Sequence, residues 1–247
     1  MRHFMITGAG SGIGRAIAHR LYRDGCALTL LGRRLEALKE TAQDMDDQRV
    51  QLHSCDIQDQ KRLREISSLV VDELGAFHGV VANAGIGGPN EPGDNDRFIE
   101  IVQTNLVGTY QTLRAVEPHL HEGLGHMVVI SSCLARFGVP GYSGYCASKS
   151  GLLGMVRALA HELAPIQVNA ICPGWVDTKM ARDGIVGMAQ AMGISYEAAY
   201  EQAMSVVPLG RMSRPEEIAG TVAWLVSEDA QGMTGQGIDI NAGSWMG

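Results

Sequence analysis

The chain has 247 residues, 45% of them hydrophobic, and a formal net charge of -7. That is enough apolar material for one large core, and a mildly acidic balance without blocks of like charge speaks against a nucleic-acid partner. No apolar run approaches the length of a membrane span, and five scattered cysteines without a Cys-x-x-Cys pair point to a reduced, cytoplasmic setting with neither disulfide framework nor metal site.

Residues 3–7 read as a strand, so the amino terminus enters directly into a fold rather than a secretory signal. A glycine-rich turn follows over 8–14, then a helix over 15–22. Gly8, Gly12 and Gly14, with Ser11 and Ile13 between them, let backbone amides approach a phosphate at a helix N-terminus. Their Gly-x-x-x-Gly-x-Gly spacing differs from the commoner Gly-x-Gly-x-x-Gly fingerprint, and a purely structural turn is the competing reading. Residues 27–31 form a second strand that ends in Gly32, Arg33 and Arg34. A doubly wound fold places an acidic residue there for the ribose hydroxyls of NAD. Arginine instead suits a ribose phosphate and favours NADP over NAD; the alternative is a solvated pair beside the next helix.

The third strand, 50–55, leads to Asp56 and Ile57, where the carboxylate is placed either to accept from an adenine amino group or to cap the next helix. Residues 77–81 form a fourth strand that runs through Ala82 into Asn83, Ala84 and Gly85, small residues and an amide suited to close packing against a cofactor. Residues 95–121 have the length of one helix. Within them Asn105 is polar among apolar neighbours and needs bonded partners, whether its role is structural or catalytic.

The fifth strand, 127–130, ends at Ser132, and a helix continues to 163. On it Tyr145 and Lys149 stand four residues apart on one face. A nearby ammonium favours phenolate and lowers the phenol pKa, opposing burial. Tyr145 is thus the expected acid, Lys149 its tuner, and Ser132 a hydroxyl facing the same substrate oxygen. Cys133 and Cys146 beside them read as small packing residues.

Residues 166–171 form the sixth strand, leading to Pro173, Gly174, Trp175, Val176, Asp177 and Thr178, where the chain leaves the sheet toward a ligand. The Met- and Ala-rich stretch 179–205 carries Met180, Met188, Met192 and Met204. It reads as a mobile lid over an apolar pocket or as plain helix packing. A helix over 215–227 and a strand over 235–240 close the chain. Strands alternating with helices predict a single α/β domain over 1–247, a doubly wound Rossmann fold of about seven parallel strands with helices on both faces.

Thr7-Gly8-x-x-x-Gly12-Ile13-Gly14, Asp56, Asn83-Ala84-Gly85, Asn105, Ser132, Tyr145-x-x-x-Lys149 and Pro173-Gly174-x-Val176-x-Thr178 occur in one order along nearly the whole chain. In this the chain resembles the short-chain dehydrogenase/reductase family, most closely its ketoacyl reductase branch. It departs only at Ala82, where many relatives have a second asparagine. The resemblance implies that Tyr145 donates and accepts the proton, Lys149 binds the nicotinamide ribose, Ser132 orients the substrate oxygen and Asn105 holds a water in a proton relay. It further implies Gly8, Ser11, Ile13 and Gly14 at the pyrophosphate, Asp56 and Ile57 near adenine, Asn83 near the riboses, and Val176 and Thr178 at the nicotinamide end. A homotetramer or homodimer is implied too, built through the fourth and fifth helices and the last strand.

The expected activity is NADP(H)-dependent interconversion of a ketone and a secondary alcohol, on a 3-oxoacyl thioester or a similar apolar carbonyl, with Trp175 at the substrate. An NAD-dependent dehydrogenase of a small alcohol, sugar or steroid is the alternative, and a non-catalytic dinucleotide-binding regulator a remote one. An acyl carrier protein as partner would ask for a basic patch at the entrance, to which Arg136 and Lys179 contribute.

Overall fold

The computed structural model describes residues 1–122 and 124–247. Strands β1 (His3–Thr7), β2 (Ala27–Gly32), β3 (Val50–Ser54), β4 (Gly79–Ala82), β5 (His126–Ile130), β6 (Gln167–Pro173) and β7 (Gly237–Ile240) form one parallel sheet in the order β3-β2-β1-β4-β5-β6-β7. Every residue of β1 is buried because helices cover both faces of the sheet. Alternate side chains therefore serve two cores. Phe4, Ile6, Leu28 and Leu30 pack with helices α1 (Gly12–Arg23) and, far along the chain, the helix Pro215–Leu225. Met5, Leu31, Val80 and Met127 pack on the other face, against the helices Gln60–Leu74, Thr109–Val116 and Ser143–Glu162.

In chain order the remaining helices are α2 (Leu35–Ala42), α3 (Gln60–Leu74), α4 (Phe98–Val102), α5 (Thr109–Val116), α6 (Ser143–Glu162), α7 (Lys179–Met192), α8 (Tyr196–Ser205) and α9 (Pro215–Leu225). The sheet order reverses between β1 and β4, so the crossovers leave to opposite sides and open a crevice at the carboxyl ends of those strands. Asp59 caps α3 by accepting from the Arg62 N–H at 2.9 Å, which leaves Asp56 free of that duty.

One expected helix is interrupted, and the Met- and Ala-rich stretch forms two helices. The stretch 95–121 begins only at Phe98 and is split into α4 and α5 by a π turn over Gln103–Gly108. That turn adds a residue to the helical ring and contains Asn105. The stretch 179–205 breaks at Gly193, whose φ of 66° ends α7, and restarts where the Ser195 hydroxyl accepts from the Ala198 N–H at 3.2 Å. Helices α7 and α8 share a small core of their own, with Ala181, Ile185, Ala199, Ala203 and Met204 buried and Trp175 and Met188 against them. Among the described residues no helix is long and apolar enough to cross a membrane.

At the amino end of the sheet two imidazoles are held neutral. His3 is fully buried, with Nδ1 2.8 Å from the Gly75 carbonyl and Nε2 2.8 Å from the Thr29 hydroxyl. Burial draws both His3 and His126 down to about 4. Their ordinary value is near 6.5, so an unfolded chain takes up these protons before the folded one does. Their contribution is complete above about 6.5 and is lost as pH falls toward about 4. Urea unfolding at descending pH should show stability falling by a few kcal/mol across that window, and His126→Gln should flatten part of the slope; an unchanged slope in the variant rules out its share.

Candidate active site

The glycine turn between β1 and α1 closes against the end of β4. A Cβ on Gly14 would stand 2.3 Å from the Gly8 carbonyl oxygen and 2.6 Å from Asn83 Nδ2, and one on Gly8 would meet Ala84 Cα at 2.9 Å. Gly8 and Gly12 also have φ of 66° and 51°, in the left-handed region that favours glycine. Asn83 Nδ2 donates to the carbonyls of Thr7 (3.0 Å) and Gly8 (3.3 Å), while the Thr7 hydroxyl accepts the N–H groups of Asn83 and Ala84, each at 3.1 Å.

The first turn of α1 stays open to a ligand. Ser11, its cap, makes no side-chain hydrogen bond to the helix, and no acidic residue lies in that turn. Such a backbone cradle fits a diphosphate. Thr178 caps α7 and lies over the cradle, its methyl group 3.0 Å from where a Gly12 Cβ would be. Arg33 and Arg34 are exposed beyond β2, and among the described residues neither pairs with a carboxylate, whereas Arg15 holds Glu40 at 3.0 Å. The residues present therefore fit a nicotinamide dinucleotide.

Helix α6 brings Tyr145 and Lys149 to the end of β5 and is latched there twice. Lys149 Nζ donates to the Ile130 carbonyl, and the Ser131 hydroxyl donates to the Lys149 carbonyl, both at 2.9 Å. Two ammonium hydrogens remain for a ligand. Ser132 Oγ accepts from the Leu134 N–H at 3.1 Å, and its hydroxyl stands near enough to the Tyr145 phenol to oppose the effect of burial on it. Asn105 is fully buried, its Oδ1 accepting from the Ile86 N–H (2.8 Å) and its Nδ2 donating to the Ile86 carbonyl (2.9 Å) and Ser148 Oγ (3.2 Å). Ser148 in turn donates to the Tyr145 carbonyl at 2.8 Å. Gly85 lets this corner close, since a Cβ there would be 3.0 Å from Asn105 Oδ1 and 3.7 Å from Lys149 Nζ.

The electrostatics differ from the expectation that Lys149 lowers the Tyr145 pKa. Lys149 Nζ lies 5.7 Å from the phenol ring centroid and donates to Ile130 instead. Burial dominates both groups, pushing the phenol up to about 12 against the opposing influence of the Ser132 hydroxyl, and drawing the ammonium down to about 8. Part of the Tyr145 surface nevertheless opens to the cleft. Burial also raises the Cys133 thiol to about 11, which makes it a packing residue rather than a nucleophile.

Several expected ligand contacts turn out to be packed inside. Ile57 is buried against Gly108, where a Cβ would lie 2.8 Å from Ile57 Cδ1, and Val176 sits in the main core, so both can offer only backbone. Pro173 is buried at the end of β6, and Gly174 is required by the tail, since its Cβ would be 2.8 Å from the Asn241 carbonyl. Trp175 lies against the core of α7 and α8. Asp56 accepts from the Gln58 N–H at 3.0 Å. Of the four methionines, Met188 and Met204 turn into that small core and Met192 is exposed. Met180 alone reaches across, 2.9 Å from a Cβ position on Gly87.

Arg136 and Lys179 do not make a free basic patch. Arg136 holds Asp239 at 3.0 Å and the Gly237 carbonyl at 2.8 Å and lies over Trp245, while Lys179 holds Asp183 at 2.6 Å. Ser131, Ser148, Ile86 and Asn90 escaped the sequence reading. The Ser131-Ser132 doublet at a strand end was a usable signal; Asn90, in an aperiodic loop, gave none.

Fold and site together define a Rossmann-type oxidoreductase that works with a nicotinamide dinucleotide. The family profile described as Enoyl-(Acyl carrier protein) reductase matches residues 8–244. The chain is 31% identical over 254 residues to the 3-oxoacyl-[acyl-carrier-protein] reductase of Thermotoga maritima, covering 97% of this chain and 96% of that one. It is 32% identical over 248 residues to the 4-formylbenzenesulfonate dehydrogenase of Comamonas testosteroni, covering 97% and 96%. The crystal structure of actinorhodin polyketide ketoreductase with NADPH is similar at a TM-score of 0.93 and 32% identity, covering 98% and 97%. The chain belongs to the short-chain dehydrogenase/reductase family, on its ketoacyl reductase side, and is an oxidoreductase of that kind.

Because a Cβ at position 14 has backbone on one side and the Asn83 amide on the other, Gly14→Ala must deform the cradle. The dissociation constant for NADPH, followed by its fluorescence, should rise at least about tenfold, the equivalent of one lost hydrogen bond of moderate strength. Unchanged affinity would show that the cradle does not bind the diphosphate.

Proposed function

We propose that this chain is an NADP(H)-dependent reductase that interconverts a ketone and a secondary alcohol, acting on a 3-oxoacyl thioester or a similarly apolar carbonyl compound. The observation that carries this reading is the corner where Ser132, Tyr145, Lys149 and Asn105 meet at the carboxyl edge of the sheet, beside the glycine cradle. When bound, the nicotinamide supplies a hydride to the carbonyl carbon or accepts one from the alcohol.

The protein's share is to stabilise the oxygen. Negative charge grows there during reduction, and donors aimed at it lower the barrier. Tyr145 gives its proton to that oxygen while Ser132 donates a second hydrogen bond. A phenol raised to about 12 stays protonated throughout the neutral range, ready to donate. Lys149, with two hydrogens free, binds the nicotinamide ribose and replenishes the proton. Asn105 fixes the loop at Ile86 and the helix at Ser148 and holds the water of the relay. Gly8, Ser11, Gly12, Ile13 and Gly14 hold the diphosphate, Asp56 and the Ile57 backbone meet adenine, and Asn83, Ala84 and Gly85 line the riboses. Pro173, Gly174, Val176 and Thr178 border the nicotinamide, and Arg33 with Arg34 takes the ribose phosphate. The segment 179–205 closes over the substrate, with Trp175 beneath it. The exposed Ile99 of α4 and Tyr110 of α5 support assembly into a dimer or tetramer, in the cytoplasm.

A second reading concerns the form of the substrate. With Arg136 and Lys179 both held by carboxylates, a free small ketone or alcohol is favoured over one presented by an acidic carrier protein.

Tyr145→Phe removes the proton donor and little else. Turnover of a ketone panel that includes ethyl acetoacetate and an acetoacetyl thioester should fall about 100-fold or more, the usual worth of a positioned acid, with NADPH affinity kept within about twofold. Retention of most of the turnover would overturn the mechanism. Arg33→Ala should weaken NADPH about tenfold and leave NADH unchanged, by titration of both cofactors; equal wild-type affinities for the two would refute the NADP preference.

A further inference from the structure

Tyr145 stands in the least secure part of its helix. Helix α6 begins at Ser143, so Tyr145 is its third residue, inside the turn whose N–H groups find no partner within the helix. Glycines at 141 and 144 flank the start and favour the coil. No local device compensates: Tyr142, in the cap position, makes no side-chain hydrogen bond to the helix, and no acidic residue lies in the first turn.

The missing cap comes from a distant loop. Asn90, 6% exposed, accepts the Gly144 N–H at 2.8 Å through Oδ1. Its amide exchanges a hydrogen bond with the Ser143 hydroxyl (3.1 Å from Nδ2, 3.2 Å from Oδ1), and Nδ2 donates to Asp96 Oδ1 at 3.1 Å. Its own N–H donates to the Gly141 carbonyl at 2.8 Å. Asp96 is in turn fixed by the Phe98 N–H at 2.9 Å. Gly144 admits the loop, since a Cβ there would be 3.1 Å from Phe98 Cα and 3.3 Å from Asn90 Oδ1.

We infer that Asn90 is a positioning residue for the proton donor: it caps, from another part of the chain, the helical turn that carries Tyr145. This rests on the reading of Tyr145 as the acid. Asn90 touches no reacting atom. It acts by keeping the turn wound, which holds the phenol beside Ser132. The loop of which it is part is tied at its start by Asn105 to Ile86, so one loop joins the two helices that flank the site.

The test compares Asn90→Ala, Asn90→Asp and the double variant Asn90→Asp with Asp96→Ser. The carboxylate in Asn90→Asp still accepts from Gly144 but repels Asp96; the hydroxyl in the double variant accepts from Phe98 and donates to that carboxylate. Amide hydrogen exchange over 143–146, without cofactor, should quicken at least about tenfold in Asn90→Ala, as expected for a lost cap. Per site titrated with NADPH, kcat for ethyl acetoacetate should fall about tenfold in both single variants and recover to within about threefold in the double one, with NADPH affinity constant throughout. Wild-type exchange in Asn90→Ala, or kcat per site unchanged in the single variants, or no recovery in the double variant, overturns the inference. Wild-type protein that reduces no ketone overturns the proposed function instead, and that result is read before any variant is made.

Discussion

Three stretches of backbone meet where β1 and β4 part, closer than any side chain would allow. The Gly8 turn, the first residues of α1 and the Asn83 segment after β4 converge there. The glycines at 8 and 14 make the approach feasible, and the Asn83 amide, bonded to the Thr7 and Gly8 carbonyls, makes it stable. From this junction follow the crevice at the edge of the sheet and the open N–H groups of α1. The placing of Gly85 against Asn105 follows as well, because Asn83, Ala84 and Gly85 are consecutive. Chemistry at the edge of the sheet thus depends on a packing constraint one strand away.

The corner at Tyr145 and Lys149 is governed by desolvation, opposed in part by neighbouring polar groups. Burial alone pushes a phenol and an ammonium toward their neutral forms, and both Tyr145 and Lys149 move that way. The Ser132 hydroxyl opposes that push on the phenol, and the Ile130 carbonyl accepts from the ammonium at 2.9 Å. The reciprocal bond from Ser131 to the Lys149 carbonyl fixes the spacing between strand and helix. Asn105, the odd polar residue in an apolar stretch, is a bracket between a loop and a helix, set in a π turn.

The parallel sheet was legible because its strands are continuous apolar runs closed by glycine, asparagine or serine, and period and punctuation agree at β1, β2, β5 and β6. Tyr145 and Lys149 were legible as a pair four residues apart and Ser132 as a hydroxyl at a strand end, whereas a role for Asn105 came only through the family resemblance. What the sequence concealed depends on three dimensions. The π turn has no compositional mark; it lies where Asn105 bonds Ile86 and Gly108 packs against Ile57. Arg136 and Lys179 look like free cations until their carboxylate partners are placed beside them. Ile57 and Val176, read as ligand contacts through the resemblance, turn their side chains inward, so only their backbone is left for that role. The methionines of the 179–205 segment share a composition but not a face, so only Met180 reaches the opposite loop.

Helices α7 and α8 hold their own small core, separate from the two that support the sheet. Substitutions inside that core alter the shape of what sits above the edge of the sheet without propagating into the strands that carry Ser132 or the glycine turn. The molecule is therefore divided into a large body that carries the sheet and a small unit of two helices against which Trp175 packs. Changes to that small core carry less risk to the folding of the sheet than changes to the two cores that support it.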